Sequence, residues 1–208
     1  LGGDAAWYTV SNGEIHRPVR PPAPKIRAKK HGKKRADPYA SADLFHGPGL
    51  QPVTSMRRDR HGFEVLLDLE SAETPGDPFD PVILDGLVHG PPHETPEEWF
   101  PAAENSAIYP VRIERLTILS DLPETGTLIV LGQPGTPDGD GHLPVMIEAY
   151  LGDTLWARLD LIEKAYPKGP LAALGPLDRK AFLTGSSAKN VAPLSRVQDG
   201  RTLLAPAD

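Results

Sequence analysis

The stretch Phe79-Asp80-Pro81-Val82-Ile83-Leu84-Asp85-Gly86-Leu87-Val88-His89-Gly90 decides how this chain is read. Asp80 suits a helix N-cap, Pro81 suits the first helical position, and Gly90-Pro91-Pro92 is a hard stop, so a short helix is predicted over 81–89. Val82, Ile83, Leu84, Leu87 and Val88 leave it almost no polar face, which implies burial on most sides. Asp85 and His89, four residues apart, share one face. Two readings of that pair stay open. A carboxylate among aliphatic side chains has its pKa raised unless a cation or several donors compensate, and a partly protonated acid is what general acid catalysis needs. Alternatively, Asp85 is hydrogen-bonded to His89 or to loop backbone as a satisfied polar pair.

Working outward, the flanking segments read as strands. Upstream, 52–58 and 62–69 are joined by the turn Asp59-Arg60-His61-Gly62, and Phe63, Val65 and Leu67 alternate with Glu64, Leu66 and Asp68, which buries one face. Before them, 40–45 is helix-like and leads into the turn His46-Gly47-Pro48-Gly49. Downstream, 111–119, 127–131, 145–150 and 155–162 are separated by Asp/Pro/Gly turns, the longest over 132–141. This order predicts an α+β fold, an antiparallel sheet whose one helix packs on its face. Short helices are expected over 171–174 and 177–183.

The 208 residues suit one sizeable core with irregular ends: an extension over 1–38, a folded domain over 39–163 and a further extension over 164–208. The absence of cysteine excludes disulfides, thiolate catalysis and cysteine-based zinc sites. No apolar run approaches the roughly 20 residues of a membrane helix, and the first residues lack a signal-peptide layout, so a soluble cytoplasmic protein with no membrane partner is expected. The start at Leu1 suggests a segment of a longer chain. Residues 1–35 hold nine Lys/Arg against Asp4 and Glu14, a surplus of +7 in a chain whose net charge is −6, leaving −13 on the rest. The proline-rich and basic run over 17–38 reads as a linker. It has no aromatic interleaving or nucleic-acid motif beside it, and no nucleic-acid partner is expected.

Other candidate sites are weaker. His89 and His93 with Glu94 suggest a metal at first sight, but Gly90-Pro91-Pro92 breaks the helix between them, and no metal is expected. Asp138-Gly139-Asp140-Gly141-His142 lacks the remaining ligands of a calcium loop and reads as a hairpin turn. Gly185-Ser186-Ser187 lacks the second glycine of a nucleophile elbow. Trp7, Trp99 and Trp156 read as core or edge-packing residues.

Three motifs carry a family resemblance. Leu44-Phe45-His46-Gly47-Pro48-Gly49-Leu50-Gln51 resembles the LFHGPxFQ signature that opens the C-terminal half of dehydratase domains in polyketide and polyunsaturated fatty-acid synthases. The segment from Asp80 to His89 resembles their HPxxLDxxxQ/H helix. Tyr109-Pro110-Val111-Arg112-Ile113 is similar to their LPxxI/W strand, and 156–163 to the closing strand. Order and spacing agree over 44–163.

The resemblance implies a hotdog fold, an antiparallel sheet wrapped round one helix, with two hotdogs side by side in the complete domain. It implies that Asp85 is the acid that protonates the departing β-hydroxyl of an acyl chain, and that His89 orients it. His46, Gly47, Pro48, Leu50 and Pro110 would then line the acyl tunnel. The implied partners are an acyl carrier protein bearing a phosphopantetheine-linked acyl chain and an N-terminal hotdog or neighbouring synthase domains; no cofactor is implied. The chain departs from the family at Asp80, where His is usual, and at Leu50 and Val111, where Phe is common. None of its seven histidines sits in the HxxxGxxxxP spacing of the family's base. Three explanations stay open: part of a larger synthase, a half completed by a partner or second copy, or a non-catalytic dehydratase-like hotdog for domain assembly or carrier-protein docking.

Overall fold

Alternating apolar and polar residues pair into one antiparallel sheet in the computed structural model, which describes residues 32–169, 172, 174–183, 194–198 and 201–204. Its strands are β1 (Lys33–Lys34), β2 (Val53–Asp59), β3 (Gly62–Asp68), β4 (Ser106–Ile118), β5 (Thr127–Pro134), β6 (His142–Leu151) and β7 (Thr154–Pro167). They lie in the order β1-β2-β3-β5-β6-β7-β4, with every junction antiparallel. Short turns join β2 to β3, β5 to β6 and β6 to β7, whereas residues 35–52 connect β1 to β2. β4 pairs with neither of its sequence neighbours, because the chain leaves β3 and joins β7 at the far edge. The connection between them carries α1 (Pro81–Gly86), whose Ile83 is buried in the same cluster as Val65, Leu67, Val130, Ile147, Leu159 and Leu161. This antiparallel sheet with few helices is consistent with the hotdog fold expected from the sequence.

One face of each central strand fills the core. Phe63, Val65 and Leu67 are fully buried while Glu64, Leu66 and Asp68 are partly exposed, as the period of two requires. Trp156 is fully buried and its indole N–H donates to Ser120 O at 3.0 Å. Trp99 stacks on Phe63 with ring centroids 6.1 Å apart and donates to Asp59 O at 2.8 Å. Trp7 lies outside the described residues.

Phe63 also explains two glycines. A Cβ at Gly90 would come within 2.2 Å of its ring and one at Gly132 within 2.1 Å, so the ring is held between two bare backbones. Gly132→Ala is expected to destabilise the chain by about 1–3 kcal/mol through overpacking, read as a lower urea midpoint. An unchanged midpoint would show that Phe63 has room to move.

The helix differs from its prediction at the C-terminal end. It is capped as expected, with Asp80 Oδ1 accepting from Ile83 N at 2.9 Å and Oδ2 from Thr74 N at 2.6 Å. Regular helix ends at Gly86, after which Val88 N bonds Asp85 O and His89 N bonds Gly86 O, three residues back in each case. The last turn tightens against the Gly90-Pro91-Pro92 stop. A Cβ at Gly86 would come within 2.8 Å of Pro52 and 2.9 Å of Leu67, so glycine lets the helix end lie this close to Pro52 and β3 without moving either side chain.

Residues 40–45, expected as helix, form turns instead. Asp37 Oδ1 accepts from Tyr39 N at 2.9 Å, and Ala42 takes a left-handed φ of 59°. β4 begins at Ser106, five residues before the predicted start at 111. The end of the expected linker is also paired: Lys33–Lys34 lies against Arg57 and Arg58, and Arg35 forms an ion pair with Glu98. The linker upstream of residue 32 lies outside the described residues. Beyond the sheet, α2 (Pro176–Leu183) matches the helix expected over 177–183, while that over 171–174 falls largely outside the described residues. β8 (Leu194–Gln198) and β9 (Arg201–Leu204) make a separate ladder.

Candidate active site

The tightened last turn of α1 keeps Asp85 and His89 together, and their contact is direct: His89 Nε2 lies 3.0 Å from Asp85 Oδ2. His46 comes to the same point from the loop before β2. Its Nε2 is 3.3 Å from Asp85 Oδ2 and 3.3 Å from His89 Nε2, with the two imidazole centroids 4.3 Å apart. The amide of Gln51 pins that loop by donating to His46 O at 2.8 Å.

A fourth residue, Tyr39, stands behind His89 with its hydroxyl 3.0 Å from Nδ1. The same oxygen accepts from Val53 N at 3.2 Å. With the Asp85 carboxylate accepting from His89 Nε2–H, a neutral His89 ring accepts the Tyr39 O–H at Nδ1, and Val53 N donates to the same phenol oxygen. Burial pushes the Tyr39 phenol up to about 12, so it holds its proton.

Accessibility divides the group in two. The side chains of Asp85 and His46 are 34% and 27% exposed, whereas that of His89 is 1% exposed. Burial raises the Asp85 carboxyl, but the His89 hydrogen bond and the fields of His89 and His46 outweigh it and hold the carboxyl below its ordinary range. The apolar neighbours of Asp85 in sequence therefore do not set its protonation; the imidazoles around it do. Burial and the field of His89 lower the His46 pKa, against a smaller opposite pull from Asp85.

The other predicted positions are dispersed. Gly47, Pro48 and Leu50 are exposed on the turn that follows His46. Pro110 lies on the exposed stretch of β4 and pairs with Glu163. The void beside His89, lined by Leu44, Met56 and Arg58, is about 10 Å³, enough for one water. His93 is directed elsewhere, with Nε2 2.8 Å from Val88 O and Nδ1 3.1 Å from Ile108 O. Asp138 and His142 close a hairpin turn on themselves, at 2.9 Å.

Ligand atoms of His46, Asp85 and His89 all fall within 4.8 Å of one another, a spacing that suits a cation. A ligating imidazole normally donates its far N–H to an acceptor, and His46 Nδ1 is buried without a partner among the described residues. The set does not fit a firmly held metal.

Tyr39 carries no sequence signal, because its partner is 50 residues away. Tyr39→Phe is expected to cost about 1–2 kcal/mol, since Val53 N loses its acceptor and His89 its donor. Imidazole nitrogen NMR should then show His89 populating both neutral tautomers. A single unchanged tautomer would mean that Tyr39 does not set it.

No family model matches this chain, and no curated protein matches it. Among solved structures, it is similar to a thioesterase from Haemophilus influenzae at 13% identity and a TM-score of 0.41, over 51% of this chain and 73% of that one. It is also similar to an isomerase-inactive variant of GphF DH1, a polyketide synthase dehydratase domain, at 15% identity and a TM-score of 0.49. That match covers 73% of this chain and 55% of the other, so the chain spans about half its length.

Proposed function

We propose that this chain is a hotdog half of a dehydratase module, which eliminates water from β-hydroxyacyl chains carried as phosphopantetheine thioesters on acyl carrier protein in polyketide or polyunsaturated fatty-acid biosynthesis. The observation that carries this reading is the Asp85–His89 pair. The acid is reachable from solvent at the end of the helix, and the imidazole that orients it is buried and hydrogen-bonded on its far side to Tyr39. A carboxyl group positioned in this way can pass a proton to a leaving hydroxyl while its partner keeps its direction.

Pairing with a second hotdog is supported by β4. It is an edge strand, and residues 109–115 are exposed on both faces with Tyr109, Val111 and Ile113 among them. An exposed edge strand offers unpaired N–H and C=O groups to another sheet, and here Tyr109, Val111 and Ile113 alternate with Pro110, Arg112 and Glu114. The open turn over His46-Gly47-Pro48 would become a tunnel wall only once a neighbour covers it. The basic run over 17–38 would attract an acidic carrier protein by screened electrostatics.

The alternative, a non-catalytic hotdog for assembly or docking, is favoured by one observation: Asp85 is held ionised, as in a structural ion pair. Turnover separates the two. A β-hydroxyacyl carrier protein incubated with the chain, alone and with a neighbouring hotdog, is expected to lose water by mass spectrometry in at least one of the pairings. Tight carrier-protein binding with no elimination in either would establish the docking role.

A further inference from the structure

We propose that His46 is the base that works with Asp85, so that one hotdog carries both members of the acid–base pair. This rests on the dehydratase reading above. It goes beyond the tunnel-lining role that the resemblance implied for His46.

The geometry singles this residue out. Among the described residues, the imidazoles that contact Asp85 are those of His46 and His89, and only His46 is open to an incoming ligand. His93 faces two carbonyl oxygens, His61 sits in the β2–β3 turn against Arg60, and His142 is closed onto Asp138. His46 Nε2 and Asp85 Oδ2, 3.3 Å apart, would meet the same face of a bound acyl chain. An α-hydrogen and a β-hydroxyl on that face are adjacent, so the arrangement suits syn elimination.

The step balances within the pair. Nε2 takes the α-proton, the C–H electrons form the α,β double bond, and the C–O bond breaks. The proton on Oδ2 leaves with the hydroxyl as water. The pair ends with its proton on His46 instead of Asp85, and return across the 3.3 Å contact resets it. The unpartnered Nδ1 also bears on the cycle. An Nδ1–H there has no acceptor among the described residues, so the resting neutral ring keeps its proton on Nε2, facing Asp85. Nε2 becomes free when one further proton enters the pair: the ring takes it on Nδ1, and the Nε2 proton passes to Oδ2 across the contact. The groups facing His46 are Asp85 and His89, with the edge of Tyr39 behind them.

The test uses the full chain with a β-hydroxyacyl pantetheine thioester in deuterium oxide, following water loss and α-deuterium uptake by mass spectrometry. The wild-type chain is expected to act alone, and His46→Gln to lose about a hundredfold or more in rate. NMR titration of the imidazoles gives a readout that needs no substrate. Asp85→Asn removes the negative charge beside His46, and the His46 pKa should fall further. The proposal is overturned if His46→Gln keeps the wild-type rate, or if the His46 titration does not respond to Asp85→Asn. If the chain is silent alone, and a separate histidine-bearing hotdog restores turnover equally to wild type and His46→Gln, the proposal falls while the dehydratase reading stands. If Asp85→Asn keeps full turnover, or no combination eliminates water, both fall.

Discussion

Glu163→Gln should stabilise the chain at pH 8 and remove most of its pH dependence above pH 5. Glu163 is fully buried on β7, on the strand face that also carries Leu159 and Leu161, and neither carboxyl oxygen has a hydrogen-bond partner among the described residues. Burial pushes its pKa from an ordinary 4.5 up to about 8. Between those values the unfolded chain has released a proton that the folded chain retains. Stability is therefore greatest below about 4.5 as far as this group is concerned, falls as pH rises through the window, and levels off above about 8. At about 1.4 kcal/mol per unit, the difference across the window is on the order of 4 kcal/mol. Glutamine leaves a polar group unpaired in the same place, so little is gained at pH 5. It cannot ionise, so the loss on going to pH 8 disappears. Urea midpoints of both proteins at the two pH values check this. Equal wild-type midpoints would mean that Glu163 finds a partner or water in solution.

Asp85→Asn should abolish elimination with little effect on folding. The amide keeps the shape and can still accept from His89 Nε2–H, but it has no proton to give. The expected loss is roughly 10²–10⁴-fold in turnover, the usual range for a positioned acid. Stability should change by far less, because the carboxylate is a third exposed and its interaction with the imidazoles is screened by water. A variant that folds normally and does not turn over separates a catalytic acid from a structural pair. Loss of fold without a selective loss of rate would favour the structural role.

The helix and the sheet were legible in sequence for different reasons. The cap at Asp80, Pro81 and the stop at Gly90 are local signals, and they located α1 before any tertiary contact was known. The strand β3 showed its period of two because one face is in the core, while β5, β6 and β7 were marked out by the Asp/Pro/Gly turns between them. The expected start of β4 at 111 left Pro110 outside the strand. Proline is tolerated in β4 because this is an edge strand, where Pro110 sits beside a shift of register opposite Glu163. Residues 40–45 have helix-like composition, yet Asp37 captures the backbone N–H groups of Tyr39 and Ala40 and turns the chain.

The site was legible only as far as it is local. Asp85 and His89 are one helical turn apart, so their contact could be read from spacing. The resemblance pointed to His46 as a tunnel wall, but its contact with Asp85 depends on how the loop before β2 folds over the helix end. Tyr39 gave no signal, since its bond to His89 Nδ1 is made entirely by tertiary packing. The protonation of Asp85 could not be settled from spacing for the same reason. Its sequence neighbours are aliphatic, and the imidazoles that hold it ionised include one from a distant loop.

The measurement that bears most directly on the central claim is single-turnover conversion of a β-hydroxyacyl carrier protein by the wild-type chain and by Asp85→Asn, each with and without a neighbouring hotdog. Water loss by the wild type and none by the variant is the result predicted here. Equal conversion by the two proteins, or no conversion by the wild type in either pairing, would contradict it.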